Sequence, residues 1–493
     1  MSILFFLSSG IFLGWSHGAN NAGNVFGTAI GSQMVKFRTA AIVTSIFLIL
    51  GSVISGTGAT LTLGKLGSIN EIAGAFIVTL STAVAILIMT RFNLPVSTSQ
   101  SVVGAIIGWN LFSGSMTDFN SLVKIVSSWV VTPFITGFFA VLLYFFVRFF
   151  LNRVKIHLLY LDFWNRIGLV VVGGFGAYSL GANNIANVMG VFVPVAPFHP
   201  IETAFGMLTG TEQLFIIGGI AMASGVLTYS YKVMKPVGKS IIPLTPISAL
   251  VVVLSSSTVL FLFSSQGLEL FLASRGLPTI PLVPVSSAQA VIGALIGIGL
   301  LQGGRGMDIK QLGKIASGWV TAPLMACLIC FLSLYVFQNV FSQKVYREVV
   351  YSISETVSRK LISEGIHFNS MDEFINVKFK NSVDFRSALE RNASDLAKKD
   401  FMRVVELSEM RNIVVDTDRI RYELAEGLFS PSQAAAIMSI SGNRYKYIWE
   451  FREELESLSD EWKSAEETPL TRKRNRDIAG RIDYLAKKFW VSE

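Results

Sequence analysis

The chain has 493 residues, of which 51% are hydrophobic and only 15% charged, with a mean hydropathy of +0.55. That composition excludes a water-soluble domain of this length and requires a polytopic membrane protein. The charge is split. Residues 1 to 343 hold 16 Lys+Arg and 7 Asp+Glu, leaving 25 of 41 and 26 of 33 for 344–493, so a membrane domain of net charge +9 precedes a tail of net charge −1.

Apolar stretches predict membrane helices near 2–31, 39–61, 71–90, 95–113 and 123–150, then near 167–194, 212–231, 243–264, 282–301 and 314–341. The opening "MSILFFLSSG" lacks a basic n-region and a clean cleavage site, so it reads as the start of a mature span. The stretches at 95–113 and 282–301 open on Pro and Ser and are rich in Gly, which suits re-entrant-like hairpins better than plain spans. Cys327 and Cys330 form a C-x-x-C inside an apolar span and read as small helix-packing residues, not a redox or metal pair. From 344 onward, apolar residues at spacings of three and four among mixed charges predict a soluble helical domain, regulatory or interacting in role.

The membrane part repeats itself. "GANNAGNVFG" (18–27) recurs as "GANNIANVMG" (181–190), identical at seven of ten positions. "PVSTSQSVVGAIIG" (95–108) recurs as "PVSSAQAVIGALIG" (284–297), identical at nine of fourteen, and "KIVSSWVVTP" (124–133) as "KIASGWVTAP" (314–323), identical at six of ten. The order is shared, so the expected organisation is a first five-segment repeat over 1–150, a short basic linker over 151–166, a second repeat over 167–343 and the tail over 344–493. Basic residues cluster in every second connection: Lys36 and Arg38; Arg91; Arg148, Arg153, Lys155 and Arg166; Lys232, Lys235 and Lys239; Arg305, Lys310 and Lys314. The positive-inside rule makes those loops cytoplasmic and the N-terminus external, and ten crossings carry the tail outside as well. An odd number of crossings per repeat inverts the second repeat relative to the first, the plan of secondary transporters whose substrate binds where the repeats meet.

Asn20 and Asn21 lie in the middle of an apolar helix, as do Asn183 and Asn184 in the second half. A buried amide without partners costs about 2–7 kcal/mol, so neighbours or a ligand must satisfy them. Glycines around them, Gly18, Gly23, Gly27, Gly181 and Gly190, allow a helix to break or another backbone to approach. Each amide offers an NH2 donor for an oxyanion and a carbonyl oxygen for a hard cation, so Asn20, Asn21, Asn183 and Asn184 are candidate Na⁺ ligands, with Asn24 and Asn187 beside them. Hydrogen bonding between helices is the competing reading. In the Pro-Ser motifs, Ser97 with Gln100 and Ser286 with Gln289 fit a capping box. A helix N-terminus inside the membrane presents free N–H groups and a positive dipole end, and Ser97, Thr98, Ser99, Ser286 and Ser287 add hydroxyls suited to a tetrahedral oxyanion. A plain cap is the alternative.

Two G-x-N-D-x-A-N-like motifs and two P-V-S-[ST]-[ST]-like motifs in a duplicated membrane domain resemble the inorganic phosphate transporter (PiT) family, over residues 1–343. The resemblance implies symport of phosphate with Na⁺ or H⁺ across the cell membrane, with sulfate, the substrate of bacterial sulfate permeases related to the family, as runner-up. It implies anion contacts from Asn20, Asn24, Asn183, Asn187, Ser97, Thr98, Ser99, Ser286 and Ser287. Where the family places Asp this chain has Asn21 and Asn184, and where it often has His the chain has Gln100 and Gln289. Those four are the coupling-ion candidates, and the site has lost up to two negative charges relative to the usual pattern.

Glu71 and Glu212, at predicted outer helix ends, read as interfacial acids, with a coupling role as the alternative. His17 reads as a packing or interfacial residue, a proton relay being the alternative. Trp129 and Trp319 read as anchors or packing. No G-x-x-x-x-G-K-[ST] is present to power transport with ATP. The expected partners are phosphate or sulfate, the lipid bilayer and a homodimer mate, with no nucleic acid, no cofactor beyond the coupling ion and no enzymatic activity. A phosphate sensor signalling through the tail and a passive anion channel stand as alternative classes.

Overall fold

The computed structural model describes residues 3–67, 69–91, 96–153, 157–198, 201–203, 206–231, 234, 244–304, 309–393, 395–421, 424, 429–466, 468 and 471–491. Pro95 and the basic residues Lys155, Lys232, Lys235, Lys239 and Arg305, used above for motif and orientation, lie outside the described residues.

The membrane part of the first half comprises α1 (Ile3–Gly31), α2 (Phe37–Ser55), α3 (Thr57–Leu66), α4 (Ile72–Arg91), α5 (Thr98–Ser113) and α6 (Phe119–Arg153). The second half comprises α7 (Leu158–Met189), a hairpin of β1 (Ile201–Thr203) and β2 (Gly206–Leu208), α8 (Gly210–Thr228), α9 (Pro246–Ser264), α10 (Gln266–Ser274), α11 (Ser287–Leu301) and α12 (Ile309–Asn339). Seven of the described helices are long and apolar enough to cross a membrane, and the chain is a multi-pass membrane protein.

Helix α1 packs on α8 as α7 packs on α2; α1 on α4 as α7 on α9; α5 on α12 as α11 on α6; and α4 on α12 as α9 on α6. These pairings are unchanged when each first-half helix is exchanged for its second-half counterpart, whereas α3 packs on α5, α6 and α7 with no counterpart among the described residues. Glycines make the central contacts. A Cβ built on Gly18 or Gly225 would strike the carbonyl of Met222 or Trp15, and one on Gly181 or Gly51 that of Leu48 or Tyr178, at matched positions of the repeat. Only glycine lets these backbones meet, the usual device where lipid supplies no hydrophobic drive between helices. The outer faces match too: Val130, Phe134, Phe138 and Leu142 on α6 and Val320, Leu324, Leu328 and Leu332 on α12 are all exposed at four-residue spacing, a stripe that only an apolar surrounding accommodates.

Several expectations change. Helices α1 and α7 run unbroken through the asparagine motifs, because Gly18 and Gly181 are spent on close packing and the polar side chains face inward from intact turns. The interruption falls instead at Gly56, between α2 and α3, inside a stretch expected to be one span. Residues 158–166, read as linker, form the first turns of α7, capped by His157. The short helix α10 and the β1–β2 hairpin carry too little periodic sequence to have been foreseen.

The tail is only partly helical. It holds α13 (Glu355–Ser363), α14 (Ser382–Asn392), α15 (Lys398–Ser408), α16 (Pro431–Ser439), α17 (Ile448–Leu458) and α18 (Arg472–Phe489). It also builds an antiparallel sheet in which β4 (Glu409–Val414) lies between β3 (Val350–Tyr351) and β5 (Arg444–Tyr447). The strand "EMRNIV" lies in the tail expected to be helical throughout, and its pairing with sequence-distant partners is what overrides the local pattern. The tail has its own apolar cores, one around Phe368, Phe385 and Leu389 and another around Phe451, Trp462 and Phe489. It docks on the ends of α4 and α5. Asn70 donates to and accepts from the Arg347 backbone at 2.9 Å each way, Glu71 pairs with the Arg347 guanidinium, and Trp109 Nε1 donates to the Val345 carbonyl. Ser382 Oγ accepts from the Met116 N–H and donates to the Gly114 carbonyl.

Candidate functional site

The two Pro-Ser segments end at the same place. Ser97 caps α5 by accepting from the Gln100 N–H at 3.4 Å, and Ser286 caps α11 by accepting from the Gln289 N–H at 3.3 Å. Each cap uses a lone pair and leaves the hydroxyl hydrogen free. Between these ends lies a small, tightly closed polar pocket, lined by His17 and Asn21 of α1, Asn184 of α7, residues 96–99, and Ser286, Ser287 and Ala288. No Asp, Glu, Lys or Arg is among the lining residues. Two buried helix N-termini with five hydroxyls between them form a donor-rich, positively poled chamber that suits a small oxyanion and repels none of its charge.

The capping boxes are half formed. The Ser side of each is made, but the Gln100 and Gln289 side chains do not return to the cap, and both Oε1 atoms are buried without a partner among the described residues. Neither glutamine lines the cavity, so the coupling-ion role expected of them has no geometric support. The sequence cue there, Ser three residues before Gln, reports the cap and not the glutamine's destination.

The asparagines fall into different roles. Asn183 clamps the second hairpin tip, donating to the Val285 carbonyl at 2.7 Å and accepting from the Val285 N–H at 3.0 Å. Asn187 donates to Ser99 Oγ at 2.8 Å and Asn24 to Ser287 Oγ at 3.2 Å, so each half holds the hydroxyls of the other half's tip. Asn184 Oδ1 accepts from the amides of Asn183 and Asn187, while its Nδ2 donates to the Leu180 carbonyl. Asn21 reaches the His17 ring at 2.8 Å, and Asn20 is half-buried with no hydrogen bond to a described residue. Of the six, only Asn21 and Asn184 line the cavity. The Na⁺ cage expected from Asn20, Asn21, Asn183 and Asn184 is therefore not assembled: the oxygens of Asn183 and Asn184 are occupied by N–H donors, and Asn20 lies off the cavity.

His17 is the polar lining residue left out of the expected site. Its Nδ1 lies 2.9 Å from Thr98 Oγ1. A signal was present in the sequence, since His17 directly precedes the first motif where the second half has Leu180, a break in an otherwise close repeat. The remaining candidates resolve into structural parts. Glu71 holds the tail, and Glu212 closes a capping box with Thr209. Trp129 packs on the membrane core and Cys330 is buried against it.

A multi-pass helical protein with a donor-lined cavity where two similar halves meet defines a membrane transport protein. The profile of the phosphate transporter family matches residues 17–270 and 277–438, so the chain belongs to that family, and the match runs past the membrane domain into the tail. A "putative phosphate permease" of Pyrococcus horikoshii is 25% identical over 402 residues, 65% of this chain and 94% of the relative. Proteins of the same description from Pyrococcus furiosus (26% over 398 residues; 65% and 93%) and Methanocaldococcus jannaschii (26% over 317 residues; 64% and 91%) are similarly related. Among solved structures, "The sodium-dependent phosphate transporter" shares the fold, with a TM-score of 0.54, 21% identity, 69% of this chain covered and 100% of that one.

Proposed function

We propose that the chain is a secondary active symporter that takes up inorganic phosphate across the cytoplasmic membrane, driven by Na⁺ or H⁺, with its two repeats inverted about a shared central site. The observation that carries this reading is the chamber formed by two buried helix N-termini, whose Ser97, Thr98, Ser286 and Ser287 offer donors to one anion, with the Ser99 hydroxyl beside them, which here donates to the Val285 carbonyl. Asn21, Asn184 and His17 complete the first contacts, while Asn24, Asn183 and Asn187 hold the tips in place and Asn20 stands outside. The exchange-symmetric packing supports the inverted plan, and the basic connections support an external N-terminus. The printed names of the relatives favour phosphate, and that of the solved neighbour makes Na⁺ the first driving ion to test.

The test is radiolabelled uptake into proteoliposomes holding the full chain, with imposed Na⁺ or proton gradients and either phosphate or sulfate. The expected result is phosphate accumulation above equilibrium when one of the gradients is applied. Accumulation of sulfate with phosphate excluded would reassign the substrate, equilibration that ignores both gradients would make the chain a channel, and no uptake of either would remove the transport reading.

A further inference from the structure

The two hairpin tips carry the same residues and sit under the same asparagine motif, yet only one is fastened. Asn183 and Val285 are both fully buried and joined by two hydrogen bonds, side-chain amide to both polar groups of one peptide residue. Their counterparts in the first half are Asn20 and Val96, identical in type. Both are half-buried, and Asn20 makes no hydrogen bond to a described residue. All the asparagines of the first motif, Asn20, Asn21 and Asn24, are partly exposed, whereas Asn183, Asn184 and Asn187 are closed off. The motifs "GANN" and "PVS" are shared and the principal helix pairings exchange, while the halves differ in His17, which stands where the second half has Leu180, and in α3, whose packing has no counterpart among the described residues.

We propose that Asn20 and Asn183 are alternating latches: Asn183 fastens Val285 in the conformation seen here, and Asn20 fastens Val96 through the same pair of hydrogen bonds in the opposite one. A chain of two like halves around one cavity has two conformations in which the halves exchange roles, and each latch closes the cavity on its own side. When one closes the other opens, because both hairpin tips hold the single chamber between them and Asn24 and Asn187 tie each half to the other's tip. The latches set the ratio of the two states, and deleting one shifts that ratio toward the state held by the other. The inference rests on the transport reading for its purpose, but its test does not depend on the substrate.

The experiment uses the full chain with Cys327→Ser and Cys330→Ser and a reporter Ala288→Cys in the cavity wall, in oriented proteoliposomes. A membrane-impermeant maleimide is added from one side or the other, and the ratio of the two labelling rates is read. Two hydrogen bonds predict that Asn20→Ala moves this ratio by about tenfold toward the present conformation and slows phosphate uptake. Asn183→Ala should move it in the opposite direction. Asn20→Ala is the decisive variant, since a side chain that is half-exposed and unbonded here has no structural reason to disturb folding. A wild-type labelling ratio in Asn20→Ala, or a shift of both variants in the same direction, overturns the proposal. If the reporter ratios shift as expected while the unsubstituted chain moves no phosphate, the latches stand and the substrate reading falls.

Discussion

The two halves of the membrane domain are alike in packing and unlike in polar wiring. Gly18 and Gly181 meet carbonyls of the opposite half in the same way, and so do Gly51 and Gly225, because the backbone approach depends only on the missing Cβ and both copies keep it. The amides next to those glycines do different things. Asn183 is consumed by bonds within the protein and Asn184 is held by three of them at the cavity wall, whereas Asn21 faces the cavity bonded only to His17 and Asn20 has no hydrogen bond to a described residue. A duplicated motif thus fixes where a side chain stands, while its partners are set by the state of the hairpin it faces.

The largest expected effect tests the shared part of that comparison. Gly18→Val and Gly181→Val each force a side chain into a helix backbone, and each should cost about 3 kcal/mol or more, read as loss of folded protein on thermal unfolding in detergent. A mild effect at one site and a severe one at the other would mean the halves are not packed alike. Next comes the unlike part. Asn183→Ala leaves the Val285 N–H buried without a partner and its carbonyl held by Ser99 Oγ alone, and should destabilise by about 1–3 kcal/mol, whereas Asn20→Ala should stay within about 0.5 kcal/mol. Equal unfolding temperatures for the two would erase the contrast.

Much of this architecture was legible in the sequence. Ten apolar stretches, their order and the duplication follow from residue pattern, and each coincides in the main with helix, although 39–61 is split at Gly56 and the helices within 95–113 and 282–301 begin only at Thr98 and Ser287. The caps at Ser97 and Ser286 were legible because a cap needs only residues three apart. The choice among asparagines was not, since Asn183 and Asn20 have the same neighbours in sequence, and what separates them is a backbone 102 residues away in one case. The same limit hid the unbroken course of α1: glycines that permit a kink also permit close packing, and only the partner helix decides. In the tail, β4 pairs across the chain with β3 and β5, which no local periodicity reports.

Smaller effects refine the comparison. Ser97→Ala and Ser286→Ala each remove a cap worth about 1 kcal/mol and a hydroxyl donor at the cavity. Both should weaken phosphate affinity to a similar degree, by about 1.5–3 kcal/mol if the anion is charged, measured by competition binding on the purified chain. Unchanged affinity in both would reduce them to plain caps, and a loss in only one would place the anion on a single tip. Smallest is Arg347→Ala, which breaks the ion pair with Glu71 where the tail leans on the first half. A partly exposed pair contributes about 0.2–1 kcal/mol, so the tail should become more open to limited proteolysis while the membrane domain unfolds at the same temperature. A lowered unfolding temperature of the whole chain would instead make the tail part of the membrane fold.

The central claim is that both halves hold one anion between their hairpin tips. Its most direct test is an electron cryo-microscopy map of the full chain with phosphate at saturating concentration. The expected result is a single tetrahedral density in the cavity, within hydrogen-bond distance of hydroxyls from both Ser97–Ser99 and Ser286–Ser287. Density bound to one tip alone, or at another place in the membrane domain with the cavity closed, would contradict it.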